Sequence, residues 1–354
     1  GLTMRAMLLN AAASLGDNQS PLVAAAVPDP VPGPGDLLVK VSACGVCHTE
    51  LDEIEGRTPP SSFPRILGHQ VVGRVVEIRS LEPEAWSPKP EAGLCVGDRV
   101  GVAWIYSACG SCSYCLEGRE NLCPDFRATG RDADGGYAQL MVVPSAFAYP
   151  IPGVFSDVEA APLLCAGAIG YRSVMLAGIR DGDGLGLTGF GASAHLVLMM
   201  VRHRFPRSRV FVFTRSAEER AFARDLGAAW AGDTVERSPE KLAAIIDTTP
   251  AWKPVVEALA DLRPGGRLVV NAIRKEEADK DHLLRLDYPA HLWMEKQITS
   301  VANVTRRDVH EFLRLASEIP IKPEVEEYAL GDANRALVDI KRRRIRGAKV
   351  LLVS

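Results

Sequence analysis

The sequence predicts an α/β protein in which a β-rich antiparallel domain precedes a doubly wound parallel sheet. Short valine-rich runs broken by proline and glycine fill residues 1 to about 165, a pattern typical of antiparallel strands. From about 166 to 302, strand-like runs alternate with helical patterns, which indicates a parallel sheet. A chain of 354 residues exceeds one small core, so two domains are expected.

In the first part, strands are predicted at LLVKVSA (37–43), VVGRVVEI (71–78) and GYAQLMVVP (136–144). Between them, LEPEAWSPKPEAG (81–93) is a proline-rich, charged stretch that predicts an exposed loop.

In the second part, strands are predicted at residues 185–188, 210–214, 243–247, 267–272 and 298–302. AEERAFARDLG (217–227) predicts an amphipathic helix that a glycine ends. Helices are also predicted near 307–318 and 332–341, with a final strand at 348–353. Because a late strand can rejoin the first domain, residues 1–165 and 303–354 are expected to form one discontinuous domain around 166–302.

Composition excludes several classes of partner. The chain is 47% hydrophobic and 24% charged with a net charge of −3, which favours neither nucleic acid nor an anionic membrane as a partner. No apolar run reaches the roughly 18 residues of a membrane helix, and no signal peptide is evident. We therefore expect a cytoplasmic protein, whose clustered cysteines bind metal rather than form disulfides.

Four cysteines in the order C-x2-C-x2-C-x7-C are the most informative motif. They are Cys109, Cys112, Cys115 and Cys123. Four thiolates close a tetrahedral zinc site and leave no position for water or substrate. The motif predicts a structural zinc.

A second zinc site of a different kind is predicted from residues far apart in the chain. Cys47, His69 and Cys165 supply two thiolates and an imidazole, so a fourth position would stay open for chemistry. A structural zinc beside such a site suggests an enzyme.

A phosphate-binding turn opens the parallel domain. LGLTGFGASAH places Gly189, Gly191 and Ala194 in a G-x-G-x-x-A pattern between a strand and a helix. The glycines allow a tight turn and close approach of a pyrophosphate, and the amides of Ala192 and Ser193 lie at the helix N-terminus that would face it. We expect a dinucleotide here.

The end of the second parallel strand predicts which dinucleotide binds. NAD sites usually carry Asp or Glu there, whereas this chain has Thr214, Arg215 and Ser216. The guanidinium of Arg215 would pair with a 2′-phosphate, which favours NADP. Glu218 and Glu219 lie nearby and keep NAD open as an alternative.

These motifs, together with CGVCHTELD and LGHQVVG, closely resemble those of zinc-dependent alcohol dehydrogenases of the medium-chain dehydrogenase/reductase superfamily. The resemblance covers nearly the whole chain. It implies a GroES-like catalytic domain, a Rossmann cofactor domain that Asn271 and Ala272 also serve, and two zinc ions per chain. It also implies a small-molecule alcohol or aldehyde substrate and a homo-oligomer, either a dimer or a tetramer.

The resemblance further implies roles for individual residues. Cys47, His69 and Cys165 match the catalytic-zinc ligands. Thr49 matches the hydroxyl that contacts the substrate oxygen and begins the proton relay, and His48 matches a cofactor-facing position. Glu50 matches an acidic residue that orients the histidine ligand.

The chain departs from the family pattern at three positions. One is Ala348, which follows Gly347 where the family often has an arginine that contacts the cofactor. Asp52 stands where the family commonly has the histidine that ends the proton relay. Gln70 stands in place of the glutamate after the histidine ligand, which removes a negative charge near the metal.

The substrate is the least specified feature. By resemblance, Trp104 and Ile105 line the pocket, which suits apolar or aromatic primary alcohols and aldehydes. A preference for NADP would favour reduction. Two other readings are a zinc-free quinone or enone reductase of the same superfamily and a non-catalytic, zinc-bound dinucleotide sensor; the intact cysteine and histidine pattern argues against the first.

Overall fold

A computed structural model describes residues 2–80, 93–319, 321–342 and 347–353. The chain divides into two compact units. Unit 1 comprises Gly1–Cys165, Thr305–Ser317 and Lys322–Ser354, and unit 2 comprises Ala166–Val304 and Glu318–Ile321. Apart from Gly93, the loop predicted at 81–93 lies outside the described residues.

The strands are, in chain order, β1 (Thr3–Leu9), β2 (Leu22–Pro28), β3 (Asp36–Val46), β4 (Arg65–Ile66), β5 (Gln70–Ile78), β6 (Arg99–Val102), β7 (Ile105–Ser107), β8 (Arg127–Ala128), β9 (Leu140–Pro144), β10 (Tyr149–Pro150), β11 (Gly184–Thr188), β12 (Arg209–Phe213), β13 (Trp230–Gly232), β14 (Leu242–Asp247), β15 (Leu262–Val270), β16 (Gln297–Ser300), β17 (Val325–Ala329) and β18 (Ala348–Leu352).

The α-helices are α1 (His48–Ile54), α2 (Ser113–Leu116), α3 (Asp157–Pro162), α4 (Ala168–Ala177), α5 (Ala192–Arg204), α6 (Ala217–Asp225), α7 (Lys253–Leu259), α8 (Tyr288–His291), α9 (Arg306–Glu318) and α10 (Ala333–Lys341). A π-helical turn, Leu163–Gly167, joins α3 to α4.

Unit 1 is built around β3, in which alternate residues are apolar and buried in the core. Its main sheet has the order β10-β6-β5-β3-β18-β17, with β9 also paired to β3, and a second sheet has the order β2-β1-β4. The C-terminal strand β18 pairs antiparallel with β3, so that Val350 lies opposite Gly45. The last strand of the chain therefore supports the end of β3 that leads into Cys47.

Unit 2 contains a parallel sheet in the order β13-β12-β11-β14-β15-β16. This is the doubly wound arrangement in which the chain starts at the sheet centre and reverses direction between β11 and β14. Loops at the carboxyl ends of those two strands form the usual ligand crevice of such sheets. The prediction of an antiparallel β part and a doubly wound parallel part is confirmed.

Two of the predicted strands differ from the structure by four or more residues at one end. The run at 136–144 is a strand only from Leu140; at its start the Gly136 amide instead donates to the carbonyl oxygen of Gly68 at 3.0 Å, and Gly135 precedes it. A Cβ built on Gly135 would lie 2.0 Å from the carbonyl oxygen of Gly68. The strand predicted at 267–272 starts earlier, at Leu262, and ends at Val270.

The continuous helical segment Asp157–Ala177 comprises α3, the π-helical turn and α4. By length and composition alone it passes as a membrane-spanning helix, but 67% of its most apolar window is buried inside the protein. Burial in the core accounts for such a composition.

Candidate functional site

Strand pairing brings Cys47 and His69 together. Cys47 directly follows β3 and His69 directly precedes β5, and these strands pair antiparallel with Gly45 opposite Gln70. Cys165 comes from the π-helical turn, an irregularity that often marks functional sites. The fold therefore gathers three residues that are distant in sequence.

The three side chains form a metal-binding geometry. Their ligand atoms lie within 4.8 Å of one another, and the Cys47 Sγ is 3.8 Å from the His69 Nε2. Ligands about 2.3 Å from a tetrahedral ion are about 3.8 Å apart, so the donor set and spacing fit zinc. Three ligands leave a fourth position for water or substrate.

Glu50 fixes the orientation of His69. Its Oε1 lies 2.5 Å from the His69 Nδ1, and its Oε2 accepts a hydrogen bond of 2.8 Å from the Cys47 amide. The glutamate is fully buried. Burial lowers the pKa of His69, but the charges of Glu50 and Cys47 outweigh it and raise that pKa well above its usual value. Held in this way, the ring turns Nε2 toward Cys47.

The other residues predicted beside the metal differ in their surroundings. Thr49 is half-buried and His48 is exposed. Asp52 is buried, and its Oδ1 accepts a 2.6 Å hydrogen bond from the Arg57 Nε. Gln70 is also buried, and its side-chain nitrogen has no hydrogen-bond partner among the described residues.

The four-cysteine motif folds into a second cluster. Its sulfur atoms lie within 4.8 Å of one another, with 3.9 Å between the sulfurs of Cys109 and Cys115. The Cys109 sulfur accepts hydrogen bonds from the amides of Ser111 and Cys112, at 3.4 and 3.3 Å. These bonds lower the pKa of Cys109 to about 6, whereas burial raises the pKa of Cys115 to about 12. The arrangement fits a closed zinc site.

The two residues predicted to line the substrate pocket differ in burial. Ile105 is fully buried in β7, so it presents no surface to a ligand in this structure. Trp104 is half-buried, its ring centroid is 5.0 Å from that of Phe126, and Arg131 lies 5.2 Å from the ring. Its indole N–H is buried without a partner among the described residues.

The glycine turn has the shape that a pyrophosphate requires. Gly189 has φ +74° and lies close to the side chains of Thr248 and Thr249, which a larger residue would contact. A Cβ built on Gly191 meets no atom within 4 Å, so the space above the turn is open. Ala192 and Ser193 begin α5, and Ala194 is buried. The turn fits a dinucleotide.

The end of β12 carries both a cation and a carboxylate. Arg215 is exposed, and it has no ion-pair partner in the described part of the chain. The Thr214 hydroxyl donates to the Glu219 carboxylate, while Ser216 caps α6 by accepting from the Glu219 amide at 3.2 Å. A carboxylate from the following helix thus reaches the strand end, which the spacing alone left open.

The loop after β15 contains a buried ion pair that sequence reasoning missed. Lys275 contacts the fully buried carboxylate of Asp247 at the end of β14 and donates to the carbonyl oxygen of Thr249 at 2.7 Å. Asp247 also accepts from the Thr188 hydroxyl at 2.6 Å. This network fixes the loop that lies against Gly189. A lysine 28 residues from its partner gives no local signal.

Asn271 and Ala272 follow β15 directly. The Asn271 amide donates to the Ser173 hydroxyl at 2.6 Å, so this side chain braces α4. Ala272 is half-buried.

The comparisons with known proteins agree with this geometry. Residues 33–153 match the family model of the alcohol dehydrogenase GroES-like domain. The chain is 44% identical over 324 residues to the probable alcohol dehydrogenase AdhA of Mycobacterium tuberculosis, covering 92% of this chain and 90% of the relative. It is 33% identical over 328 residues to an alcohol dehydrogenase of Geobacillus stearothermophilus, covering 90% and 91%.

Solved structures share the fold over the full chain. The crystal structure of AibC superimposes with a TM-score of 0.85 at 26% identity and covers 99% of this chain and 96% of its own. A cinnamyl alcohol dehydrogenase of Sorghum bicolor, SbCAD4, superimposes with a TM-score of 0.81 at 25% identity and covers 99% and 97%.

Proposed function

Since the chain belongs to the zinc-binding alcohol dehydrogenases of the medium-chain dehydrogenase/reductase superfamily, we propose that it transfers a hydride between NADP(H) and an alcohol/aldehyde pair. The observation that carries this proposal is the convergence of Cys47, His69 and Cys165, with Glu50 bonded to the histidine. A zinc-free quinone reductase would not need this donor set, nor the four-cysteine cluster.

The chain's own residues position the reaction. When bound, zinc supplies Lewis acidity to the substrate oxygen, and the nicotinamide supplies or accepts the hydride. Glu50 holds the His69 tautomer that leaves Nε2 as the ligand atom. Thr49 exchanges a proton with the substrate oxygen through its hydroxyl, and His48, next to it on α1, contacts the cofactor.

NADP(H) is the proposed cofactor because Arg215 is exposed and has no acidic partner within the described ranges. Its guanidinium is then available to a 2′-phosphate. Glu219 is the competing group, since a carboxylate at this strand end is suited to a ribose hydroxyl. One carboxylate oxygen of Glu219 already accepts a hydrogen bond from the Thr214 hydroxyl.

An apolar or aromatic primary alcohol, or the corresponding aldehyde, is the proposed substrate. Trp104 offers a half-buried aromatic ring, and the Sorghum relative of similar fold is a cinnamyl alcohol dehydrogenase. Aromatic rings pack favourably on one another in offset or edge-to-face arrangements. We therefore favour benzylic and allylic aldehydes as first substrates to test.

A second copy of the chain is the proposed protein partner. The edge strand β16 is exposed along its length and includes the exposed Ile298. Two further exposed apolar side chains, Tyr288 and Trp293, precede the strand. An unpaired edge beside an apolar patch is a site for strand pairing. A two-fold axis would pair β16 with itself.

A spectrophotometric screen tests the proposal. Alcohols and aldehydes are offered with NADP(H) and with NAD(H), and turnover is followed at the nicotinamide absorbance. We expect reduction of aromatic aldehydes with NADPH. Turnover of quinones or enones by a zinc-free protein, or no turnover with any substrate, would contradict it.

A further inference from the structure

One buried acid on the helix that follows Cys47 has no role in the proposed function. Glu53 lies on α1 and is 1% exposed. Neither of its carboxyl oxygens has a hydrogen-bond partner among the described residues. A buried carboxyl without partners is costly, so its presence calls for an explanation.

The position of Glu53 on α1 places it near Thr49, whose hydroxyl is proposed to contact the substrate oxygen. Thr49 and Glu53 are separated by four residues within α1. Side chains at i and i+4 of a helix are neighbours on one face, with Cβ atoms about 5–6 Å apart. One intervening water would span the remaining distance between the hydroxyl and the carboxyl.

The residue expected to end the proton relay is engaged elsewhere. Asp52 lies three residues after Thr49, but the Arg57 guanidinium holds its carboxylate at 2.6 Å. This carboxylate oxygen is therefore already occupied by a hydrogen bond to the guanidinium. Glu53 has no such partner.

The surroundings of Glu53 favour its protonated form. Burial raises the pKa of the Glu53 carboxyl well above its ordinary value. The negative charges of Glu50, on the same helix, and of Asp132 act in the same direction, while His69 and Arg131 oppose them. The buried Tyr137 hydroxyl also interacts electrostatically with Glu53.

We propose that Glu53, rather than Asp52, supplies the proton in carbonyl reduction, through the Thr49 hydroxyl. This inference rests on the proposed function. Bound NADPH would supply the hydride that bonds to the carbonyl carbon, and the π electrons of the carbonyl would move to its oxygen. That oxygen takes the proton of Thr49, and Thr49 takes the proton of Glu53. NADPH is oxidised and the aldehyde is reduced to the alcohol.

Solvent returns the proton on the side of Arg131 and Asp132. Both side chains act electrostatically on Glu53 and are partly exposed, at 26% and 16%, which favours return of the proton on this side. In alcohol oxidation the same route runs in reverse. Glu53 then accepts the proton from Thr49, and in neither direction does it touch the substrate.

Glu53→Gln tests the proposal because it keeps the shape and removes the transferable proton. We expect kcat for aldehyde reduction with NADPH to fall at least about tenfold, while the KM for NADPH is unchanged. Wild-type kcat should fall as pH rises through the titration of Glu53, and this limb should be absent from the variant. Glu55→Gln, two residues along the chain, is the matched control.

Other variants keep the outcome decisive. Asp52→Asn should retain the pH limb. If Asp52→Asn removes the limb and Glu53→Gln retains it with wild-type kcat, the proposal is overturned. Should Glu53→Gln fail to fold, Glu53→Asp decides: a retained limb supports the route, and its loss overturns it. A wild type that turns over no aldehyde overturns the proposed function, and this inference with it.

Discussion

Glu50 and His69 form a buried pair in which a carboxylate oxygen lies 2.5 Å from the imidazole Nδ1. Both side chains are at most 1% exposed, and the second carboxylate oxygen accepts from the Cys47 amide. One acid therefore orients two of the three triad residues, through a side chain and through the backbone. Removing its charge should weaken the metal site without dismantling the fold.

Glu50→Gln should lower zinc affinity at the triad about 10- to 100-fold, because the ring loses its charged partner and its basicity. Chelator competition measures the affinity, and the four-cysteine site of the same protein provides the internal reference. Wild-type affinity in the variant would show that Glu50 does not support the metal.

Cys112→Ser should reduce the zinc content from two ions per chain toward one and lower thermal stability, because a hydroxyl poorly replaces a thiolate ligand. Elemental analysis and a melting curve measure both effects. Cys95→Ser is the control, since Cys95 is an exposed free cysteine outside both clusters. An unchanged zinc count in Cys112→Ser would remove the structural-zinc assignment.

Arg215→Ala should raise the KM for NADP and leave that for NAD nearly unchanged. Loss of a charge-assisted phosphate contact costs about 1.5–3 kcal/mol, or roughly ten- to hundredfold in affinity. Thr214→Asp should shift kcat/KM further toward NAD, because the new carboxylate repels phosphate. A wild type that already prefers NAD would contradict the NADP proposal and would indicate that Glu219 binds a ribose hydroxyl at the end of β12.

Ile298→Lys should convert the oligomer to monomers, because it places a charge in the exposed edge strand β16 where a second copy would pair. Light scattering after size exclusion gives the mass. Val76→Lys, at an exposed apolar position of unit 1, is the matched control. A wild type that is already monomeric at micromolar concentration would contradict the proposed partner.

The sequence was most informative where spacing alone carries the chemistry. The cysteine lobe and the glycine turn are local patterns, so their ligands and turns follow from neighbouring residues. The alternation of strands and helices from about residue 166 was equally predictive, and the parallel sheet of unit 2 agrees with it.

Side-chain environments that depend on packing were not predictable in the same way. The Asp52–Arg57 pair, the Lys275–Asp247 pair and the isolation of Glu53 depend on which side chains the fold turns inward. Ile105 illustrates the same limit, since its place beside Trp104 in sequence does not give it an exposed surface. Residue types near a motif predict candidates, and packing decides which of them are available.

The most direct test measures zinc content and turnover together in wild type and in Cys165→Ala. We expect two zinc ions per chain and NADPH-dependent aldehyde reduction in wild type. In the variant we expect about one zinc ion, no turnover and unchanged NADPH binding, because the cofactor turn lies in unit 2. Near-normal turnover by folded Cys165→Ala, or by zinc-free wild type, would contradict the account.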